Sequence, residues 1–301
     1  MSMPEKVTVC EVCPRDGWQN HPISIPTDMK IHYIKEMVKC GAGKMEITSF
    51  VNPKYVPQMS DAGEVFAGVR QFLKENNVVS YALALNRRGV EDAREAGFEH
   101  VEFVLSASEE HNLRNSRRTI RESLEIFKNL AKEADDLHII LAMPCIFGSP
   151  FGDEVPLDRV KWLIDEAESV GVEEFGIADT AGISNPENTR NILREIRKYT
   201  DMSKVSLHMH DTYGMGLANV YVALEEGITM VDASLGGMGG CPFVPGAKGN
   251  IAMEDLIYML HHIGIKTDYD LERLNLTAKQ MGADISANIT SCQSAVCRMA
   301  S

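Results

Sequence analysis

Short apolar runs recur through this chain, each followed by a longer stretch whose apolar residues have helical spacing, and the alternation repeats eight times. These runs predict strands at 7–12, 44–48, 78–83, 100–105, 138–143, 174–178, 205–209 and 229–234. Helices fall between them. The first has Thr27 as its N-cap, an apolar face of Met29, Ile31, Ile34, Met37 and Val38, and a stop at Gly41 and Gly43. Others are predicted at 61–74, 90–96, 119–134, 157–170 and 217–226, with Gly97, Gly171 and Gly227 as stops. One more opens at Asn185-Pro186 and another near Ala252, while 109–118 reads as a loop. Eight strands alternating with helices over short links predict an α/β chain folded as a (β/α)8 TIM barrel. A doubly wound parallel sheet is the alternative and is usually shorter. The 301 residues suit one barrel of about 250 residues with an addition. No Pro/Ser-rich linker, charge block or sequence repeat marks an earlier boundary. The expected division is therefore a barrel over 1–265 and a C-terminal helical extension over 266–301, with Leu271, Leu274 and Leu276 available for packing.

Polar residues concentrate where such a barrel builds its active site, at the C-terminal ends of the strands and in the loops after them. Arg15 and Asp16 follow strand one, Glu46 lies on strand two, and Asp179 ends strand six. His208 and His210 are two apart on strand seven, so both project from one face while Leu207 and Met209 project from the other. Cys241 and Asn250 lie in the glycine-rich loop after strand eight. Plainer readings exist for each: the histidines as hydrogen-bonded core residues, Asp179 as a helix N-cap, Glu11 and Glu46 as buried ion-pair partners of Arg15, Cys241 as a small loop residue. Taken together the residues favour a site. Asp16, His208, His210 and Asn250 form a set that suits Mg²⁺ or Mn²⁺, and no cysteine pair has the spacing of a zinc site. Such a metal polarises a carbonyl and a neighbouring hydroxyl. Arg15 beside it would meet the charge of a developing enolate. The glycines 236, 237, 239 and 240 point to a mobile loop on which the Cys241 thiol could move a proton; no Lys-Ser/Thr ending makes this a P-loop.

Bulk properties narrow the partners. A formal net charge of −13 argues against nucleic acid. No apolar run approaches the roughly 20 residues that span a bilayer, and residues 1–6 lack a signal-peptide core. Seven scattered cysteines, an odd number, argue against a disulfide framework and for a reducing cytoplasm.

The segments Pro14-Arg15-Asp16-Gly17-Trp18-Gln19-Asn20, Glu46-Ile47-Thr48-Ser49-Phe50-Val51-Asn52-Pro53-Lys54, Ala178-Asp179-Thr180-Ala181-Gly182, His208-Met209-His210-Asp211-Thr212-Tyr213-Gly214, and Gly237-Met238-Gly239-Gly240-Cys241-Pro242 through Gly249-Asn250 resemble 3-hydroxy-3-methylglutaryl-CoA lyase, in order and over nearly the whole chain. The wider superfamily of metal-dependent barrels includes pyruvate carboxyltransferases and the isopropylmalate and homocitrate synthases; the Gly-Gly-Cys-Pro loop favours the lyase branch. The resemblance implies cleavage of a 3-hydroxy-acyl-CoA, for the family's usual substrate into acetoacetate and acetyl-CoA. It implies Asp16, His208, His210 and Asn250 as metal ligands, and Asp16 or His208 as the base for the hydroxyl proton. Arg15 would stabilise the enolate, and Cys241 would protonate it. Glu11 and Glu46 would orient Arg15 and the loop. Arg15, Glu11, Asp179 and Gln19 would contact or support substrate. A homodimer is implied as well.

The chain departs from the family at Trp18, where leucine is usual, and at His21 and Pro22, where an acidic residue and a lysine are usual. A bulky Trp18 near the site would reshape the pocket, so the acyl group accepted could differ. Arg87, Arg88 and Lys248 could meet CoA phosphates, or be ordinary surface charge. The competing readings are a lyase for a related 3-hydroxy-acyl-CoA or hydroxy/oxo acid, an acetyl-CoA condensing synthase, which usually carries a further regulatory domain, and a barrel that has lost catalysis.

Overall fold

The computed structural model describes residues 3–240 and 248–299, the last three of these by their backbone alone. Eight parallel strands close into a barrel in sequence order, with β8 returning to β1. They are β1 (Thr8–Glu11), β2 (Lys44–Phe50), β3 (Val79–Ala84), β4 (His100–Val104), β5 (His138–Met143), β6 (Glu174–Asp179), β7 (Val205–Met209) and β8 (Met230–Ala233). The helices are α1 (Thr27–Lys39), α2 (Ala62–Glu75), α3 (Arg87–Ala96), α4 (Glu109–Ser116), α5 (Ile120–Glu133), α6 (Leu157–Glu168), α7 (Pro186–Ile196), α8 (Gly216–Glu225) and α9 (Met253–His262), then α10 (Leu271–Asp284) and α11 (Cys292–Met299). Two strands, β5 and β7, have the bounds expected from sequence; the others shift by one or two residues at an end. No helix among the described residues is long and apolar enough to cross a membrane.

Alternation along the strands sorts the residues. Outward positions such as Met45, Ile47, Val101, Leu141, Ile177, Leu207 and Val231 are buried under the helices and make the main core. Inward positions fill the barrel in layers of four, drawn in turn from odd and even strands. Cys10, Tyr81 and Ile140 pack together in an odd-strand layer, with Ser206 its fourth member by register. Below it Lys44 pairs with Glu174, and His138 lies 3.5 Å from the same carboxylate. Above it stand Glu46, Glu102, Gly176 and Asp232, one from each even strand.

Local sequence explains most helix ends. Asn86 accepts the Gly89 amide and starts α3 three residues before the expected 90–96. Asn185 caps α7 and Pro186 takes its first position. Two expectations are corrected. Thr27 is not an N-cap: Pro26 holds that position, and the Thr27 hydroxyl donates to Asp61, 2.8 Å away, which Lys30 also grips. The segment 109–118 is not a loop, because Ser108 caps α4 by accepting the His111 amide and two glutamates occupy its first turn. In the C-terminal segment Leu274 is fully buried and Leu271 packs on the core, but Leu276 is 62% exposed.

Candidate active site

The C-terminal mouth of the barrel opens into a cavity of about 640 Å³. Three segments assemble its reactive groups. After β1 the chain makes one π-helical turn, Cys13–Gly17, with the amides of Asp16 and Gly17 both turned to the Val12 carbonyl. A turn this wide pushes Arg15 and Asp16 over the barrel mouth. From β7, His208 projects inward, and His210 continues the same face just past the strand's end. The segment around Asn250 threads between the ends of β7 and β8: His210 and Asn250 form an antiparallel bridge, and Ile251 donates to Met209 and accepts from Ser234. Gly239 and Gly249 allow this close passage. Their φ values are +136° and +83°, and a Cβ on either would lie 2.4 Å from Asn250 or from the Gly239 carbonyl carbon.

Asp16, His208 and His210 each offer a ligand atom, and these atoms lie within 4.8 Å of one another. Asn250 donates its Nδ2 to Asp16 Oδ2 (2.6 Å) and to the Met238 carbonyl (3.0 Å), so its amide oxygen is directed elsewhere. Among the described residues no hydrogen bond reaches Asn250 Oδ1 or His210 Nδ1, although both are buried. Orphaned buried acceptors are costly. A divalent cation would satisfy both, and carboxylate, imidazole and amide oxygen are fitting donors. His208 turns Nδ1 to Asp232 Oδ2 at 3.2 Å, which leaves Nε2 facing the cavity.

Arg15 is clamped. Its Nε donates to Glu46 (2.6 Å) and its Nη1 to Asp16 (2.5 Å). Burial opposes the guanidinium charge, and Glu46 and Asp16 outweigh it, so Arg15 stays protonated. Burial also opposes the charge of Asp16, but Arg15 and the two histidines bring its carboxyl down to about 2. Burial works against protonation of His208, and Asp232 overcomes it and raises its pKa. Burial and His208 together hold His210 down at about 4.

The expected site residues divide. Arg15, Asp16, Gln19, Glu46, His208 and His210 line the cavity. Glu11 and Asp179 do not. Glu11 is fully buried and accepts the amides of Cys13 and Leu235, tying the turn after β1 to the segment after β8. It does not touch Arg15, which pairs with Glu46 instead. Asp179 accepts the amides of Ile183 and Ser184, so both its oxygens are committed to the turn after β6. Both carboxylates support backbone beside the cavity and do not line it. Cys241 lies outside the described residues, as do the side chain of Cys297 and the rest of the Cys-Pro segment. Trp18 does not shape the pocket: it is fully buried in the main core. His21 also turns away, with Nε2 2.9 Å from the Ile285 carbonyl. Arg87 pairs with Glu133, and with Arg88 it lines a cavity of about 380 Å³ that shares Asn86 and Arg118 with the main one; Lys248 is exposed. Asp232, Glu102 and Lys44 went unnoticed in the sequence. Their signal is a charge at an inward position of an apolar strand, in the phase of His208.

Residues 6–281 match the family described as HMGL-like. The chain is 40% identical over 281 residues, 93% of each chain, to the hydroxymethylglutaryl-CoA lyase YngG of Bacillus subtilis. The crystal structure of an HMG-CoA lyase from the same organism superposes with a TM-score of 0.94 at 38% identity, covering 99% of this chain and all of that one. An HMG-CoA lyase from Acinetobacter baumannii, solved with coenzyme A and 3-methylmalate, gives a TM-score of 0.92 at 35% identity, covering 97% and 95%.

Proposed function

Since the chain belongs to the HMGL-like family, we propose that it is a carbon–carbon lyase that cleaves 3-hydroxy-3-methylglutaryl-CoA into acetoacetate and acetyl-CoA. The observation that carries this reading is the pair of orphaned acceptors, His210 Nδ1 and Asn250 Oδ1, gathered with Asp16 and His208 beside a clamped Arg15. Asp16, His208, His210 and Asn250 would hold a Mg²⁺ or Mn²⁺ ion, which would supply Lewis acidity toward the substrate's hydroxyl and carbonyl oxygens. Arg15, immobilised by Glu46 and Asp16, places a fixed positive charge where the acetyl-CoA enolate develops. Of the two candidate bases for the hydroxyl proton, Asp16 is ion-paired and weakly basic; His208, with Nδ1 on Asp232, has one open nitrogen, Nε2, which takes either the metal or the proton and not both. Cys241 keeps in this reading the role of protonating the enolate carbon. Gln19 borders the cavity and contacts substrate, while Glu11 and Asp179 hold the loops that carry the site.

A reducing cytoplasm fits the free cysteines 10, 13, 40 and 292. A homodimer is the assembly we expect from the family, with sedimentation velocity as its check. The test of function is acetyl-CoA release from 3-hydroxy-3-methylglutaryl-CoA in the presence of Mg²⁺ or Mn²⁺. Release should stop on chelation, return on adding metal, and fall by about 10²–10⁴-fold in Cys241→Ala, the range of a lost proton-transfer group. Metal-bound protein with no release from this substrate would overturn the assignment.

A further inference from the structure

The floor of the cavity is unusual for the inside of a barrel. Three of its four positions are carboxylates, Glu46, Glu102 and Asp232, and the fourth is Gly176. Two of the acids have partners: Glu46 takes Arg15, and Asp232 takes His208. Glu102 has none. It is 8% exposed and lines the cavity, and among the described residues no hydrogen bond or ion pair joins its carboxyl to another side chain. A carboxyl that faces the cavity in this way is open to a polar group that enters it.

Gly176 has no conformational reason to be glycine. Its φ is not positive, and a Cβ there would meet only ordinary contacts, 3.5 Å from Ala142 Cα and 3.5 Å from Ser206 Oγ. What glycine provides is room. Ala142 and Ala178, which also line the cavity, widen the same side. Ala178 pairs in register with His208, and Gly176 is the next inward position down β6. The room therefore lies one inward step, about 6.6 Å, below the level of the reacting groups.

We infer that Gly176 and Glu102 form a specificity pocket for a C3 branch longer than methyl, roughly four heavy atoms, that ends in a hydroxyl bound by Glu102. This rests on the lyase reading above. A hydroxyl fits because it can donate to a carboxylate or accept from a carboxylic acid, and burial holds Glu102 up at about 7, where both forms occur. A carboxylate end would face Glu46, Glu102 and Asp232. A cationic end would face Arg15, which acts on Glu102 electrostatically. The reaction is unchanged: the C2–C3 bond breaks, its electron pair forms the acetyl-CoA enolate that is then protonated, and the C3 hydroxyl loses its proton to become a ketone. A 3-hydroxypropyl branch would yield acetyl-CoA and 6-hydroxy-3-oxohexanoate.

The test compares kcat/KM for three CoA esters: 3-hydroxy-3-methylglutaryl-CoA and its analogues with 3-hydroxypropyl or butyl in place of methyl. The wild type should prefer hydroxypropyl over butyl by at least tenfold. Glu102→Leu should lower that ratio by about a hundredfold, and Glu102→Gln, which keeps a hydrogen-bonding end, should hold it within a few-fold. Gly176→Val should lower both long-branched esters at least tenfold relative to the methyl ester. Cleavage of the methyl ester with ratios unmoved by either Glu102→Leu or Gly176→Val overturns the pocket and leaves the lyase standing. No cleavage of any of the three by the wild type overturns the lyase reading, and the pocket falls with it.

Discussion

Asp232 governs which nitrogen of His208 is available. With Nδ1 held by its carboxylate at 3.2 Å, Nε2 is the atom that meets a metal or a proton. Asp232→Asn keeps the shape and removes the charge, so Mn²⁺ binding, followed by calorimetric titration, should weaken by about 10–100-fold. The two histidines are legible in sequence because period-2 alternation places His208 and His210 on one face. Asp16 and Asn250 are legible because polar residues after barrel strands point to the mouth. Asp232 and Glu102 follow the same alternation, but a lone acid in an apolar strand carries no motif, and its meaning comes from a neighbour 24 residues away in one case and from the cavity it faces in the other. Trp18 and His21 misled for the opposite reason. They follow Asp16 by two and five residues, yet beyond the π-helical turn their side chains go into the core and toward Ile285.

Among the elements, α4 shows how a short helix escapes periodicity. Eight residues are too few to show a 3.6 repeat, and only its cap, Ser108, with Glu109 and Glu110 behind it, announces it. The strands needed no such help, since each is an apolar run bounded by turns. On α4, His111 is buried, and burial, opposed by Asp153, holds its pKa down at about 4 against an ordinary 6.5. A depressed histidine stays neutral in the fold while the unfolded chain takes up a proton below 6.5. Its stabilising effect is therefore present above that pH and lost as pH falls toward 4. Between pH 7 and pH 5 this loss is about 2 kcal/mol. His111→Phe should lose about that much less stability than the wild type over the same interval in urea unfolding; equal losses would place the titration elsewhere.

At the scale of the whole molecule, the barrel and its last helices are held by shared polar contacts. Gly236, at the start of the glycine-rich segment, donates to Glu254 and accepts from the Thr290 amide, and Ile289 packs beside it. Asp255 receives the Ser291 hydroxyl and the amides of Cys292 and Gln293. Ending the chain after Asp284 removes all of these contacts but Gly236–Glu254, together with the buried Ile285 and Ile289, at about 1.5–3 kcal/mol for each isoleucine. Such a chain should unfold at lower temperature and bind Mn²⁺ more weakly than the full one; unchanged metal binding would show that Asn250 is positioned without this support. The barrel architecture is legible from sequence at this scale, because eight alternations in one chain leave few other folds. The docking of the last helices is not, because their anchors are backbone amides, which no side-chain pattern records. Asp16 and Asn250, side by side in the fold, are 234 residues apart in the chain. At about 5–20 residues per second, a ribosome makes one roughly 12 to 47 seconds before the other. Asp16 therefore waits through the synthesis of seven further strands, β2 to β8, before Asn250 can join it.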